Sequence, residues 1–79
     1  MRDERVRILQ QFVRSRLAVD RPVTADTRLV SDGLLDSMGL VLLAAFAEER
    51  FGVRLDDADL RDGQLETIAN IVALIDRRS

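Results

Sequence analysis

The stretch MGLVLLAAFA, residues 38–47, runs for ten residues without a charge. It is far too short to cross a bilayer, which takes about 20 apolar residues. With the following EERFG it reads as a helix from Ser37 to about Arg50, closed by Gly52 as the left-handed residue at its end. A helix that is apolar all round must be buried or must meet a partner. A chain of 79 residues hides only about 60 to 65% of its unfolded surface and builds one thin core. Full burial of this helix is therefore geometrically difficult, and part of it is expected to face outward.

The rest of the chain supplies partners for the inward side. Val6, Leu9, Phe12, Val13 and Leu17 recur at three- and four-residue spacing, which predicts a first amphipathic helix, stopped by Asp20 and Pro22. Its last turn carries Arg14 and Arg16, which suit the helix dipole. Residues 19–36 show no periodicity. Val23, Leu29, Val30, Leu34 and Leu35 are nevertheless apolar anchors, Thr24, Asp26, Thr27, Ser31 and Asp32 are turn formers, and Gly33 can take a positive φ. This predicts an ordered loop rather than a linker. DDADL, residues 56–60, suits one short helical turn. Leu65, Ile68, Ile71, Val72 and Ile75 form the stripe of a last helix, with Thr67 as its cap and Arg77 and Arg78 at its end. The expected fold is all-α: a single domain over residues 1–79, with three main helices, one short helix and a long ordered loop between the first two.

Composition removes several functions. With no histidine and no cysteine, the usual general base, thiolate metal sites and disulfides are all absent. A small enzyme is poorly supported, since no paired carboxylates are fixed in an evident pocket. The N-terminal MRDERVRILQQ is amphipathic and contains acidic residues, unlike a signal peptide, so the expected location is cytoplasmic, with no membrane role. Residues 1–30 hold seven Arg against four acidic residues, a balance of +3; residues 31–79 hold five Arg against ten, a balance of −5. The Arg residues form no run interleaved with aromatics, which argues against nucleic acid.

The segment LVSDGLLDSMGLVLLAAFAEERFGVRL, residues 29–55, resembles the central part of acyl and peptidyl carrier proteins. Those proteins lead a long first loop through a G-x-x-D-S motif into their second helix. The resemblance implies a carrier rather than an enzyme, with 4′-phosphopantetheine attached covalently to Ser37. It also implies that Asp36 helps present this serine to the transferase and that Met38 packs inward and borders the arm. Leu35, Val41 and Phe51 match structural positions. The partners implied are a phosphopantetheinyl transferase, a loading enzyme (an adenylating ligase or an acyltransferase) and a downstream synthase or transferase. The expected carrier is monomeric. Of the four serines, only Ser37 has the D-S context at a helix start.

The residues themselves agree with this. An exposed serine at a helix N-terminus lies beside unpaired backbone N–H groups, where a phosphodiester gains roughly 0.3–1 kcal/mol. The plainer reading is that Asp36 or Ser37 only caps the helix, worth ~1 kcal/mol, in a helical adaptor that is never modified.

The chain departs from carriers of the fatty-acid type, in which the second helix is often acidic at the places taken here by Gly39, Leu42 and Arg50. This favours a stand-alone carrier of acyl or aminoacyl units in polyketide or nonribosomal peptide biosynthesis, with a fatty-acid carrier as the alternative. Gly39 is either a tolerated substitution or a place of close approach for a partner or the arm. Val41 is expected in the core, by its spacing to Met38, Ala44 and Ala45, and this pushes Leu42 to the rim as a partner contact. Residues 31–66 hold nine acidic residues and three Arg, a balance of −6 around the serine. Glu48, Glu49, Asp56 and Asp57 are the expected steering charges.

Overall fold

The first apolar stripe forms α1, Arg2–Arg16, with Leu9 and Val13 fully buried and Val6 and Phe12 packed at their sides. The structure is a computed structural model and describes residues 2–56, 58, 59, 63 and 65–78. The helix ends ahead of both Asp20 and Pro22. Ala18 lies at φ 55°, in the left-handed region where a helix cannot continue. The stop is thus a backbone conformation that alanine does not advertise.

Residues 37–51 form α2, Ser37–Phe51, closed as expected by Gly52 at φ 69°, whose N–H donates to the Glu48 carbonyl at 2.9 Å. The last stripe forms α3, Ile68–Arg78. Thr67 caps it, its Oγ1 accepting from the Asn70 N–H at 3.1 Å. Ile68, Ile71, Val72, Leu74 and Ile75 are all buried. α1 packs against both other helices. Phe12 of α1 stacks on Phe46 of α2 with centroids 4.1 Å apart, and Arg5 of α1 pairs with Asp76 of α3. Among the described residues the fold is all-helical, and no helix is long and apolar enough to cross a membrane.

The loop between α1 and α2 is ordered because its backbone is tied to other elements. The Leu29 N–H donates to the Glu66 carbonyl at 2.8 Å, the Ala69 N–H to the Ala25 carbonyl at 2.9 Å, and Gln10 Nε2 to the Val23 carbonyl at 2.7 Å. Glu66 also accepts from the Ser31 N–H at 2.9 Å. The hydrogen bonds from Ser31, with Arg28 nearby, hold its carboxyl below the usual range. Val23, Leu29 and Leu35 are buried and Leu34 is half-buried, as the anchors require. Val30 is not an anchor. It is 37% exposed, because the turn that buries Leu29 rotates its neighbour outward.

The segment after α2 carries a helical turn at Ala58 and Asp59; Asp57 and Leu60 lie outside the described residues. Asp56 and Asp59 bond each other reciprocally: Asp56 N–H to Asp59 Oδ2 at 2.9 Å, and Asp59 N–H to Asp56 Oδ1 at 3.2 Å. Asp59 is 7% exposed and takes two hydrogen bonds from the Arg78 guanidinium, at 2.7 and 3.0 Å. Arg78 also reaches the Arg54 carbonyl at 2.9 Å, so the end of α3 fastens this segment. The Arg78 hydrogen bonds, helped by the Asp56 backbone, lower the Asp59 pKa from 3.8 to about 2.

A carboxyl whose folded pKa is depressed stabilises the fold above its unfolded value and loses that contribution as protons bind the folded form. Urea unfolding should therefore show stability falling between about pH 4 and pH 2 as Asp59 is neutralised. Asp59→Asn should lower stability at pH 6 and flatten this acid limb, leaving the part owed to Glu66.

Candidate functional site

The path into α2 is set by a turn. Gly33 at φ 78° lets the chain double back, so that the N–H groups of Leu34 and Leu35 both reach the Leu29 carbonyl, at 3.0 and 2.9 Å. Leu35 is buried beneath this turn. Asp36 follows in an extended conformation, φ −92° and ψ −176°. It is the N-cap: its Oδ1 accepts from the Gly39 N–H at 2.8 Å, and its carbonyl from the Leu40 N–H at 3.0 Å.

The cap being Asp36, Ser37 is left as the first helical residue, exposed and without a structural duty. Among the described residues nothing accepts the N–H of Ser37 or Met38, and nothing bonds Ser37 Oγ. Two free backbone donors and a free hydroxyl thus share the positive end of α2, where an anion is favoured.

Gly39 is buried against this cap. A Cβ there would sit 3.3 Å from Leu35 Cδ2 and 3.4 Å from Asp36 Oδ1. The close approach at Gly39 is therefore internal, made by the residues that lead into the serine.

Two expectations about α2 need correction. Its inward face is Gly39, Leu40, Leu43, Ala44 and Ala47. Val41 is 45% exposed and Met38 65% exposed, so neither packs inward; Leu42, at 48%, is outside as expected. At 100° per residue, Met38, Val41, Leu42 and Ala45 fall together on the side opposite the core, and exposed Glu49 extends the same row. In a charge-free run every apolar residue is an equally good core candidate, so spacing counted from Met38 gave the wrong face.

Two of the expected steering charges, Glu48 and Asp56, are engaged within the fold. Glu48 is half-buried, and its Oε2 accepts from the Leu55 N–H at 2.7 Å. Asp56 is exposed but engaged with Asp59, and Asp57 lies outside the described residues. A shallow depression beside the serine went unread in the sequence. Leu17, Leu34, Leu35, Met38 and Leu42 are among the residues that line it. Leu17 and Leu34 follow no helical spacing to α2, so the sequence held no signal for them.

A family model described as "Phosphopantetheine attachment site" matches residues 7–75. The chain belongs to this family of carrier proteins. It is 35% identical over 78 residues to an acyl carrier protein of Thermotoga maritima, covering 98% of this chain and 94% of the relative. It is 38% identical over 55 residues to an acyl carrier protein of Rhodococcus erythropolis, covering 70% of this chain and 58% of that one. A carrier of this family is not an enzyme. It bears 4′-phosphopantetheine covalently on a serine and works with a phosphopantetheinyl transferase and acyl-handling enzymes. The group's terminal thiol holds cargo as a thioester, so a chain without cysteine or histidine lacks nothing for the task. The exposed hydroxyl and free N–H groups at the start of α2 fit its phosphate.

The capping role can be separated from any other role of Asp36. Asn caps as well as Asp does, whereas Ala does not. Asp36→Ala should cost ~1 kcal/mol in urea unfolding, and Asp36→Asn only a few tenths.

Proposed function

We propose that Ser37 is the attachment site and that the carrier presents acyl or aminoacyl intermediates in polyketide or nonribosomal peptide biosynthesis. The observation that carries the first half is the Asp36 cap, which leaves Ser37 exposed and uncommitted. In the transfer, Ser37 Oγ forms a bond to the phosphorus of the pantetheine arm. The pyrophosphate P–O bond of coenzyme A breaks, and adenosine 3′,5′-bisphosphate leaves. The hydroxyl proton goes to a base of the transferase, since the carrier has no histidine to take it. The free N–H groups of Ser37 and Met38 then face the phosphodiester.

The second half rests on the exposed row of α2. Met38, Val41, Leu42 and Ala45 make it apolar where carriers of the fatty-acid type are often acidic. In this reading the row holds partner enzymes by contact that salt does not screen. Glu49, at its end, steers encounter, with Asp56, Asp57 and the internally bonded Glu48 adding to the local negative field. The adenylating ligase or acyltransferase and the downstream synthase share this face in turn. The carrier acts as a monomer in the cytoplasm. The mass of cargo on protein purified from its own host would separate this pathway class from fatty-acid synthesis.

Intact-mass measurement after incubation with a phosphopantetheinyl transferase and coenzyme A tests the attachment. The expected result is one mass gain, abolished by Ser37→Ala. Because Asp36 holds the cap, this variant should keep its unfolding midpoint nearly unchanged. A mass gain retained by the Ala variant would reject Ser37, and none on the parent would favour the unmodified adaptor.

Leu42→Asp tests the docking face. The side chain is half exposed, so the melting temperature should hardly move, while loading or a downstream transfer slows. A large loss of stability with normal transfer would put Leu42 to structural use instead.

A further inference from the structure

We propose that the outward side of α1 is a second docking surface, which binds an acidic helical segment of a partner protein through Arg7 and Arg14. These two residues, with Gln10 and Gln11, line an open depression to which the chain after α1 adds Val19, Asp20 and Val23. A lone helix presents a convex surface. Here the chain beyond Ala18 is held close to α1 by the hydrogen bond from Gln10 Nε2 to the Val23 carbonyl at 2.7 Å, and by burial of Val19 and Val23.

Other arginines are used within the fold. Arg5 and Arg78 pair with Asp76 and Asp59, Arg16 and Arg50 lie over Phe12 and Phe51, and Arg21 donates to the Asp32 carbonyl. Arg7 and Arg14 are exposed, and among the described residues neither has a hydrogen bond, ion pair or ring contact. Asp20 is the one acid in the lining and leaves it a positive balance, within residues 1–30, where seven Arg outweigh four acidic residues. Seven residues apart, Arg7 and Arg14 lie two turns apart on one side of α1, about 10.5 Å along its axis. Carboxylates seven apart on another helix share this repeat, so an acidic helix laid along α1 meets both. A nucleic acid or an anionic membrane suits the surface less, because the chain's net charge of −2 repels an extended polyanion.

The surface is separate from α2. At 100° per residue, Arg7 and Arg14 point about 140° and 160° away from Phe12, which stacks on Phe46 of α2. A partner held on α1 thus leaves Ser37 and the exposed row of α2 open to other enzymes. This docking is independent of whether Ser37 carries the arm.

The test titrates the nitrogen-15-labelled, unmodified carrier with an alanine-rich helical peptide bearing two Glu seven residues apart, and with the same peptide bearing Gln instead. Saturable shifts are expected from the Glu peptide alone, at the Nε–H groups of Arg7 and Arg14 and the side-chain amides of Gln10 and Gln11, with none at Met38, Val41 or Leu42. Arg7→Gln and Arg14→Gln should each weaken binding about two- to five-fold, the size of one exposed ion pair. Gln forms helices about as well as Arg, so α1 should persist in both. Arg77→Gln, which removes an exposed arginine outside the depression, should change binding little. An equal loss in Arg77→Gln, or no saturable shift at all, would overturn the site. Shifts on α2 would overturn its separation from the first docking face. Shifts that move on dilution of the carrier alone would assign the surface to a second copy, and shifts with phosphatidylglycerol vesicles but not with the peptide would assign it to lipid; either overturns the proposal.

Discussion

Leu29 is the point at which the long loop is fastened. Its side chain is fully buried, its N–H donates to the Glu66 carbonyl, and its own carbonyl accepts from both Leu34 and Leu35. One residue thus joins the core, the approach to α3 and the turn that leads into α2. A loop of this length pays a large entropic cost for order, about 1–2 kcal/mol for each residue fixed. Leu29 concentrates the return on that cost where position matters: it sets Leu35, Leu35 sets Asp36, and Asp36 caps the helix that carries the serine. The serine is held by geometry propagated from the core rather than by contacts of its own.

That arrangement divides labour between adjacent residues. Asp36 accepts from the Gly39 N–H, so Ser37 Oγ takes no part in capping the helix. A hydroxyl that also served as the cap would lose its hydrogen bond upon esterification, and modification would then cost stability. Gly39 adds to this, since a Cβ there would sit 3.3 Å from Leu35 Cδ2, and that side chain would have to shift by a few tenths of an ångström. The same economy explains how a thin core tolerates a charge-free helix. Gly39, Leu40, Leu43, Ala44 and Ala47 turn one side of α2 inward, and Met38, Val41 and Leu42 are left outside. Clustered on one row rather than scattered singly, these exposed apolar residues are what the proposed docking face requires.

The sequence by itself determined the helices with amphipathic stripes, the Gly52 and Thr67 caps, the positive-φ turn at Gly33 and the serine set apart by its D-S context. All of these are local: a cap or a stripe is decided within a few residues, by hydrogen bonds and periods that the chain spells out in order. Only the tertiary structure decided which side of α2 is buried, because a run with no charge has no polar side to mark the surface; spacing put Val41 inside for that reason, and the family resemblance put Met38 there. It alone decided that α1 stops at Arg16, ahead of Ala18 in the left-handed region that alanine seldom enters. It alone turned Glu48 to the Leu55 amide and Asp59 to Arg78. The depression that Leu17 and Leu34 line together with Met38 likewise exists only once the chain after α1 and the loop are brought to α2. In each case the residue's partner is distant in sequence or its conformation is imposed by packing, and neither is written in the spacing of its neighbours.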